Sequence, residues 1–165
     1  MISTGWCDTM DKEEFAARVV EMRDTLYRVA ASLLRREVDR EDAVSEAIAK
    51  ALVKLPGLRS PEAFQAWMVR ILINECYNVI RRSKREISVD TVPDVYFAPE
   101  DSKELFKAFL ELEEKYRLPM VLHYVEGYGV EEVARMLRRP EGTIKSQLMR
   151  GRKMLRDALD GEVSA

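Results

Sequence analysis

Apolar residues recur every three or four positions through the first third of the chain, which is the spacing of amphipathic helices. One such segment spans about 12–36. A second begins near Asp39, which is expected to cap it, and ends at Pro56-Gly57. The apolar stripes predicted to be buried in these segments are Phe15, Val19, Met22, Leu26, Val29, Ala30 and Leu33, followed by Ala43, Val44, Ala47, Ile48, Ala51, Leu52 and Leu55.

A third helix is predicted to begin at Ser60-Pro61, with serine as N-cap and proline at the first position, where its missing N–H is not needed. It is expected to continue to about Arg82. Residues 12–85 are therefore predicted to form three or four packed helices. The buried face of the third helix is predicted to contain Phe64, Met68, Ile71, Leu72, Cys76 and Val79.

The helical periodicity stops at residues 86–102, EISVDTVPDVYFAPEDS, which contain two prolines and five acidic side chains. This composition is typical of a linker. Helical spacing resumes over 103–160, with Pro119 expected at a helix start or kink. Residues 1–11 and 161–165 are predicted to be tails, the first of them disordered. The predicted fold class is all-α, with two small helical domains joined by a flexible acidic linker.

Two helices separated by a short turn at 138–142 end the second unit. The first has an apolar stripe at Val130, Val133, Ala134 and Leu137, and the second buries Ile144, Leu148, Gly151 and Leu155, with Gly151 expected to allow close approach of a neighbouring helix. This pattern is typical of a helix-turn-helix, although a plain amphipathic helix with a basic wet side has the same periodicity. On the opposite face, Ser146 and Arg150 would reach DNA base edges in the major groove, and neighbouring cations would hold phosphates. That face also contains Met149 and Lys153, with Lys145 and Arg152 at its sides.

A polar line follows the helix predicted over 61–85. It runs beside the apolar stripe from an aromatic ring through amides to cations, at Trp67, Arg70, Asn74, Asn78, Arg81 and Arg85, with Arg82 and Lys84 at its end. Aromatic rings stack bases, amides contact base edges and cations hold the backbone, which suits single-stranded or opening DNA. The alternative is that Trp67 belongs to the core and that the cations complement the helix dipole.

Charge is distributed in blocks although the whole chain has a net charge of only −2. Residues 69–85 have five basic and one acidic side chain, a net +4, and residues 115–156 have ten and four, a net +6. Between them, residues 86–114 have a net −7. Two basic blocks separated by an acidic connector can bind phosphate, although ordinary solvated helix faces produce such blocks too. Acidic residues near 39–46 are explained by the positive end of a helix, and a docking role is possible there.

Several function classes have no support in the sequence. The single histidine, His123, and the two cysteines, Cys7 and Cys76, show no metal-ligand spacing, so no metal and no cofactor are expected. No phosphate loop or nucleophile–base pair is found, so the chain is not expected to be an enzyme. No apolar run long enough for a membrane span and no signal peptide are visible. Direct membrane insertion is therefore not expected, and the expected location is the reducing cytoplasm.

Two segments together resemble a known family. Residues 39–55, DREDAVSEAIAKALVKL, and 64–85, FQAWMVRILINECYNVIRRSKR, resemble region 2 of the extracytoplasmic-function (ECF) class of sigma factors, in the sigma-70 family. Residues 112–159 resemble region 4, most specifically at EGTIKSQLMRGRKMLR. The ordered pair covers about three-quarters of the chain and is more specific than either segment alone.

The resemblance implies that the unit at 12–85 binds core RNA polymerase and the non-template strand of the minus-10 promoter element. Arg59 would lie in the loop that holds a flipped base. The unit at 103–160 would bind the minus-35 duplex, and an anti-sigma factor would be a further partner. The implied polymerase-binding residues are Asp39, Asp42, Glu46 and Lys50. The complete predicted DNA-binding set is Arg59, Trp67, Asn74, Asn78, Arg81, Arg82, Arg85, Thr143, Lys145, Ser146, Met149, Arg150, Arg152 and Lys153.

Three positions depart from the family's usual pattern. Ser45 and Gln147 stand where the family commonly has Gln and Arg, and Arg138 stands near a position where it commonly has Gly. The substitutions leave the class intact, but they leave the promoter sequence open. Gln147 is expected at the edge of the core, so its change should matter little for base contacts.

The predicted function is that of a promoter-specificity subunit which directs RNA polymerase to promoters and helps to open the DNA. A stand-alone helix-turn-helix regulator is the main alternative, and it would bind duplex DNA tightly without polymerase. A helical interaction module with incidental basic faces is a second alternative, and it would have negligible DNA affinity.

Overall fold

The structure is a computed structural model that describes residues 9–83 and 103–163. The predicted linker at 86–102, with Lys84 and Arg85, lies outside the described residues, as do residues 1–8 and 164–165 of the predicted tails. Residues 161–163, predicted to be a tail, belong to the last helix. The described parts are helical and contain no strand, as predicted. The first unit contains α1 (Lys12–Glu21), α2 (Arg23–Leu33), α3 (Glu37–Lys54) and α4 (Phe64–Ser83). The second contains α5 (Lys103–Leu110), α6 (Glu114–Met120), α7 (Val130–Leu137) and α8 (Glu141–Val163).

The starts of the first helices differ in detail from the prediction. The segment at 12–36 is two helices, interrupted at Met22, and the side chain of Asp11 caps the first by accepting a hydrogen bond from the N–H of Glu14 at 2.8 Å. The prediction that Asp39 caps α3 is wrong, because α3 begins two residues earlier, at Glu37. Asp39 lies inside the first turn, where its charge still opposes the positive helix end.

The start of α4 also differs. Pro61 opens a 3₁₀ turn, Pro61–Ala63, and the α-helix follows from Phe64. Ser60 lies at the N-cap position of this turn, as predicted, but its side chain makes no capping hydrogen bond. Proline lies at the first position of the turn as predicted, because its missing N–H has no partner to lose there.

Pro119 lies inside α6 rather than at its start. A π-helical turn, Val121–Val125, follows directly. Proline removes one backbone donor and its ring crowds the preceding turn, so a locally widened helix is the expected response. The turn that follows is tight at Gly127, whose φ of +80° lies in the region that favours glycine.

The core of each unit is formed by the helix faces that the apolar spacing predicts. In the first unit α2, α3 and α4 pack on one another, and in the second α8 packs on α6 and α7. The buried residues form one continuous cluster across both units, because α2 packs on α6 and α4 packs on α7. None of the described helices combines the length and the apolar character needed to cross a membrane.

Candidate nucleic-acid interface

The outer face of α8 presents the predicted duplex-binding side chains to solvent. Its inner face is buried at Ile144, Leu148, Gly151 and Leu155, as the spacing predicts. Met149 is 58% exposed, a large apolar side chain left open on a basic surface. Such a surface suits contact with thymine methyl groups beside charged contacts to phosphates. The other exposed members of the predicted set on this helix are Thr143, Lys145, Ser146, Arg150, Arg152 and Lys153.

At Gly151, α8 approaches α6 closely. A Cβ atom added there would lie 3.0 Å from both Cγ and Sδ of Met120, closer than ordinary van der Waals contact. Met120 is itself buried. The close approach predicted from the sequence is therefore present, and it fixes the position of the basic face relative to the rest of the unit.

The turn between α7 and α8 contains a backbone conformation that the sequence pattern did not reveal. Arg138 has φ 53° and ψ 47°, in the left-handed region. Glycine adopts this region without steric cost, which explains a preference for glycine here. Nearby, Arg139 donates from Nη1 to Oε1 of Gln147 at 3.4 Å. Gln147 is half-buried, consistent with its expected place at the core edge.

A groove of about 340 Å³ lies beside the first turns of α8. Lys115 of α6 lines this groove and adds a cation to the surface. The sequence analysis missed it because the α6 segment contains no DNA-binding motif. Lys115 Nζ lies 3.3 Å from Oε2 of Glu113 and 5.0 Å from the ring centre of Tyr116. The groove is lined by Lys115, Tyr116, Gly142, Thr143, Ser146, Gln147 and Arg150.

The polar line on α4 is present, but its members differ in exposure. Asn74, Arg81 and Arg82 are exposed, whereas Trp67 is half-buried, with its ring centre 6.0 Å from that of Phe64. The sequence left open whether Trp67 belongs to the core or to a DNA-binding surface. In the structure it is partly in the core and partly at the surface. Arg59 is exposed in the loop before α4.

A buried carboxylate beside this line was missed by the sequence analysis. Glu75 is 4% exposed, and its Oε1 accepts a hydrogen bond from Nζ of Lys50 on α3 at 2.7 Å. Asn78 Nδ2 donates to both oxygens of Glu75 at 3.3 Å, and Arg81 donates to Asn78 Oδ1. Asn78 is thus held in a chain of contacts that fixes its amide. The spacing of apolar residues does not predict that a carboxylate is buried. The burial of Glu75 is explained only by its partner on the neighbouring helix, Lys50.

Burial alone would raise the pKa of Glu75. The hydrogen bonds from Lys50 and Asn78 outweigh it, so that the pKa is lowered from its ordinary value. The hydrogen bond to Glu75 likewise raises the pKa of Lys50. Both groups are therefore charged near neutral pH, and the pair ties α3 to α4 directly beneath the polar line.

The predicted polymerase-binding residues lie along α3. Asp42 and Glu46 are exposed, Asp39 is partly exposed and lies 3.9 Å from Arg36 Nε, and Lys50 is shared between Glu46 and Glu75. Two apolar residues at the end of α3 face solvent. Val53 is 81% exposed, and Leu52, predicted to be buried, is 40% exposed, because neighbouring helices cover a narrower stripe than the spacing suggested.

Within residues 9–83 and 103–163 no cluster of histidine, cysteine, aspartate and glutamate could hold a metal ion. His123 Nδ1 lies 2.7 Å from the carbonyl oxygen of Tyr128, which gives the ring a structural role in the turn before α7. Burial raises the pKa of the Cys76 thiol to about 12. A thiol in that state is a poor nucleophile and a poor ligand.

Comparison with known families matches both units separately. A model described as Sigma-70 region 2 matches residues 19–86, and a model described as Sigma-70, region 4 matches residues 102–155. RNA polymerase sigma factor SigV of Bacillus subtilis is 28% identical over 149 residues, covering 87% of this chain and 90% of SigV. The ECF RNA polymerase sigma-E factor of Escherichia coli is 29% identical, covering 81% of this chain and 80% of that protein.

Solved structures share the fold of both units. The sigma factor RpoE from Bartonella quintana, solved in complex with the anti-sigma factor NepR, superposes with a TM-score of 0.76 at 26% identity. The match covers 90% of this chain and 98% of RpoE. CnrH, solved with the cytosolic domain of CnrY, has a TM-score of 0.68 at 22% identity and supports the fold.

Proposed function

Because the chain belongs to the ECF class of the sigma-70 family, we propose that its two helical units divide promoter binding between them. The chain is a sigma factor that acts with core RNA polymerase on promoter DNA in transcription initiation. Members of this family are not enzymes, and the DNA-binding surfaces supply binding energy and no reaction. The observation that carries the proposal is the pair of exposed basic surfaces, one on α4 and one on α8, each within a matched family region.

For the minus-35 element, α8 is the helix that enters the major groove. Ser146 and Arg150 contact base edges, since both are exposed on the face opposite the buried stripe. The basic side chains around them, Lys145, Arg152 and Lys153, neutralise phosphates and fix the orientation of the helix. Thr143 and Met149 complete the surface at its start and its middle.

For the minus-10 element, the line on α4 holds the non-template strand. Trp67 stacks against a base while Asn74 and Asn78 contact base edges, and Arg81, Arg82 and Arg85 hold the backbone. Arg59 lies in the loop that takes a flipped base. Binding to unpaired bases offsets the cost of unpairing them, which is a few kcal/mol per base, so the same contacts select and open the site.

Core polymerase docks on α3 through Asp39, Asp42, Glu46 and Lys50. The solvent-exposed Val53 at the end of the same helix adds an apolar contact to this acidic surface. The proposed domain limits are 12–85 and 103–160, with one DNA-binding surface in each unit. We place the protein in the cytoplasm, where core polymerase is found, and an anti-sigma factor is its regulatory partner, as NepR is for RpoE.

Run-off transcription with purified core polymerase tests the function as a whole. The protein should confer start-site selection on core enzyme, bind it stably, and bind promoter DNA weakly on its own. Tight sequence-specific binding by the free chain without any effect on core polymerase would favour the stand-alone regulator. Negligible, salt-insensitive DNA binding, both by the free chain and with core polymerase, would favour the interaction module.

A further inference from the structure

Arg59 lies on a short span between two 3₁₀ turns, Leu55–Gly57 and Pro61–Ala63. At the first end of this span, Leu58 packs against the core, and its N–H donates to the carbonyl oxygen of Leu55 at 3.0 Å. The side chain of Arg59 is exposed in the middle of the span. Because the span is only three residues long, the contacts at its two ends decide where this side chain projects.

Arg18 of α1 holds the other end of the span. Its Nη1 donates to the carbonyl oxygen of Pro61 at 2.7 Å, between positions that are 43 residues apart in the sequence. The same oxygen accepts the N–H of Phe64, which closes the 3₁₀ turn. A hydrogen bond from a charged donor is stronger than one between neutral groups. The contact therefore ties the backbone two residues after Arg59 firmly to α1.

The guanidinium of Arg18 is itself oriented by two further contacts. Its Nε and Nη2 donate to Oε1 of Glu14, one turn earlier in α1, at 3.0 and 2.7 Å. Its central carbon lies 5.8 Å from the ring centre of the fully buried Phe64, within the range of a cation–π contact. A planar group held at one edge and against a ring does not rotate freely. The third nitrogen, Nη1, is therefore kept directed at Pro61.

Phe64 connects Arg18 with the other proposed DNA-binding group of this region, Trp67. The ring centres of Phe64 and Trp67 are 6.0 Å apart, and Phe15 of α1 packs edge-on against Phe64 at 5.8 Å. Aromatic pairs at these separations attract one another beyond the burial of their surface. Arg18 therefore contacts both the backbone that carries Arg59 and the ring that supports Trp67.

The ion pair within α1 does not by itself explain this arrangement. Glu131 and Arg135 form the same kind of pair on α7, at 3.4 Å, and their side chains are 71% and 70% exposed. Such exposed pairs contribute little to stability. The side chain of Arg18, in contrast, is only 33% exposed and reaches a segment outside its own helix. The contact with Pro61 points to a role in the loop.

We propose that Arg18 is a positioning residue for the unpaired base that the first unit binds. It fixes the loop of Arg59 and, through Phe64, the ring of Trp67 relative to each other. A base that leaves the stack then meets both groups already in place, so less conformational freedom is lost on binding. In this role Arg18 acts through its neighbours and does not touch DNA. The inference rests on the proposed function, because it needs Arg59 and Trp67 to contact the opened strand.

Oligonucleotide binding by the holoenzyme, the full-length chain with core polymerase, tests this role. The probes are fluorescent single strands with the minus-10 element of a promoter that the holoenzyme uses, either intact or with an abasic site at each position in turn. For wild type, the abasic site that weakens binding most identifies the flipped base. Arg18→Met should reduce the preference for the intact probe over this abasic probe at least about 5-fold, because a charged hydrogen bond to the loop is lost.

A merely structural role of Arg18 would not change this preference. A less stable first unit would bind the intact and the abasic probe more weakly by the same factor. Arg59→Ala and the double variant complete a cycle. Because Arg18 acts through the loop of Arg59, the loss in the double variant should fall well short of the product of the two single losses. Losses that multiply fully would mean that the two residues act independently, against the proposal.

Glu14→Gln is the matched control. It removes the ion pair of α1, but the amide oxygen still accepts from Arg18, so the preference should stay at the wild-type value. Arg18→Lys keeps a cation and a donor for Pro61 and should recover part of the loss. An equal loss in Glu14→Gln, or an unchanged preference in a folded Arg18→Met variant, would overturn the positioning role.

Circular dichroism and melting curves show whether each variant is folded. If Arg18→Met unfolds, Arg18→Gln replaces it in the same comparison, with the same expected loss and the same contrary result. A wild-type holoenzyme that binds intact and abasic probes equally would refute the proposed function of the first unit, and the inference with it. A wild-type preference that survives in the Arg18 variants would refute the inference alone.

Discussion

Arg138 has a left-handed backbone conformation, which is unfavourable for a residue with a Cβ atom. Its φ of 53° costs a residue with a Cβ about 1 kcal/mol or more relative to glycine. We expect Arg138→Gly to raise the free energy of unfolding by about 1 kcal/mol. The same substitution at Arg135, an exposed position inside α7, should lower it by a similar amount. Chemical denaturation of both variants measures whether the free energy of unfolding rises or falls in each. A destabilised Arg138→Gly variant would contradict the prediction.

The Lys50–Glu75 pair makes stability depend on pH. Since the folded-state pKa of Glu75 is lowered, its contribution is present above the unfolded pKa and disappears as the pH falls through the folded pKa. Lys50→Met leaves a buried carboxylate without its main partner, so its pKa should rise and the variant should melt several degrees lower at pH 7. The difference from wild type should shrink as the pH approaches 4.

Melting curves from pH 7 to pH 4 measure this effect. The double variant Lys50→Met/Glu75→Gln should recover most of the loss, because the uncompensated charge is gone. Glu46→Gln, which removes only the exposed partner of Lys50 at 3.7 Å, is the control and should change little. A pH-independent loss in Lys50→Met would mean that packing, not charge, is responsible.

At the scale of helices, α8 is held by its close approach to α6. Gly151→Leu must displace the buried Met120, and overpacking of this kind costs about 1–3 kcal/mol. That corresponds to a drop of roughly 2–10 °C in Tm for a chain of this size. Gly161→Leu, at a position with open space around it, is the control and should melt as wild type. Equal melting of the two variants would show that α8 does not depend on this contact.

Most helices were predictable from the sequence, and the reasons for the exceptions are physical. Periodicity identifies the face of a helix that is buried in its own unit, as it does for Ile144 and Leu148. It did not show that Val69 and Ile73 of α4 are buried as well, because α4 packs on α2, α3 and α7 and its buried surface is wider than one stripe. It is equally blind to a buried charge such as Glu75, whose place depends on a partner 25 residues away.

The candidate site was predictable to a similar degree. The residues of α8 were placed on an open face by spacing alone, and their exposure agrees with that placement. Their roles on DNA remain predictions. The amide of Asn78 proved to be engaged with Glu75 and Arg81, which a face count cannot reveal.

At the scale of the whole molecule, the two units should fail in different ways when damaged. Arg150→Ala removes the base contact that we propose for the minus-35 duplex. We expect it to lower initiation at promoters that depend on that element by about 5- to 150-fold, the effect of about 1–3 kcal/mol for one bidentate contact. Run-off transcription on promoters with and without a minus-35 element measures this, and an equal loss on both would argue against a sequence-specific role.

Trp67→Ala should impair the opening of the DNA strands rather than the initial binding to the promoter. Loss of one stacking contact of about 1–3 kcal/mol should slow strand opening while promoter binding through α8 persists. Permanganate footprinting follows unpaired thymines over time. Because Trp67 also touches Phe64, melting of the variant must be compared first, and Trp67→Phe serves as the control that keeps a ring. Unchanged opening in Trp67→Ala would remove this residue from the interface.

The burial of Cys76 limits which environmental cues the first unit can detect. Its sulfur is withheld from solvent, and a pKa of about 12 leaves almost no thiolate at neutral pH. Peroxides and disulfides react with thiolates, so oxidative stress finds no target at this position while the helices stay packed. A redox stimulus that reaches this transcription subunit must therefore enter through another residue or through a partner.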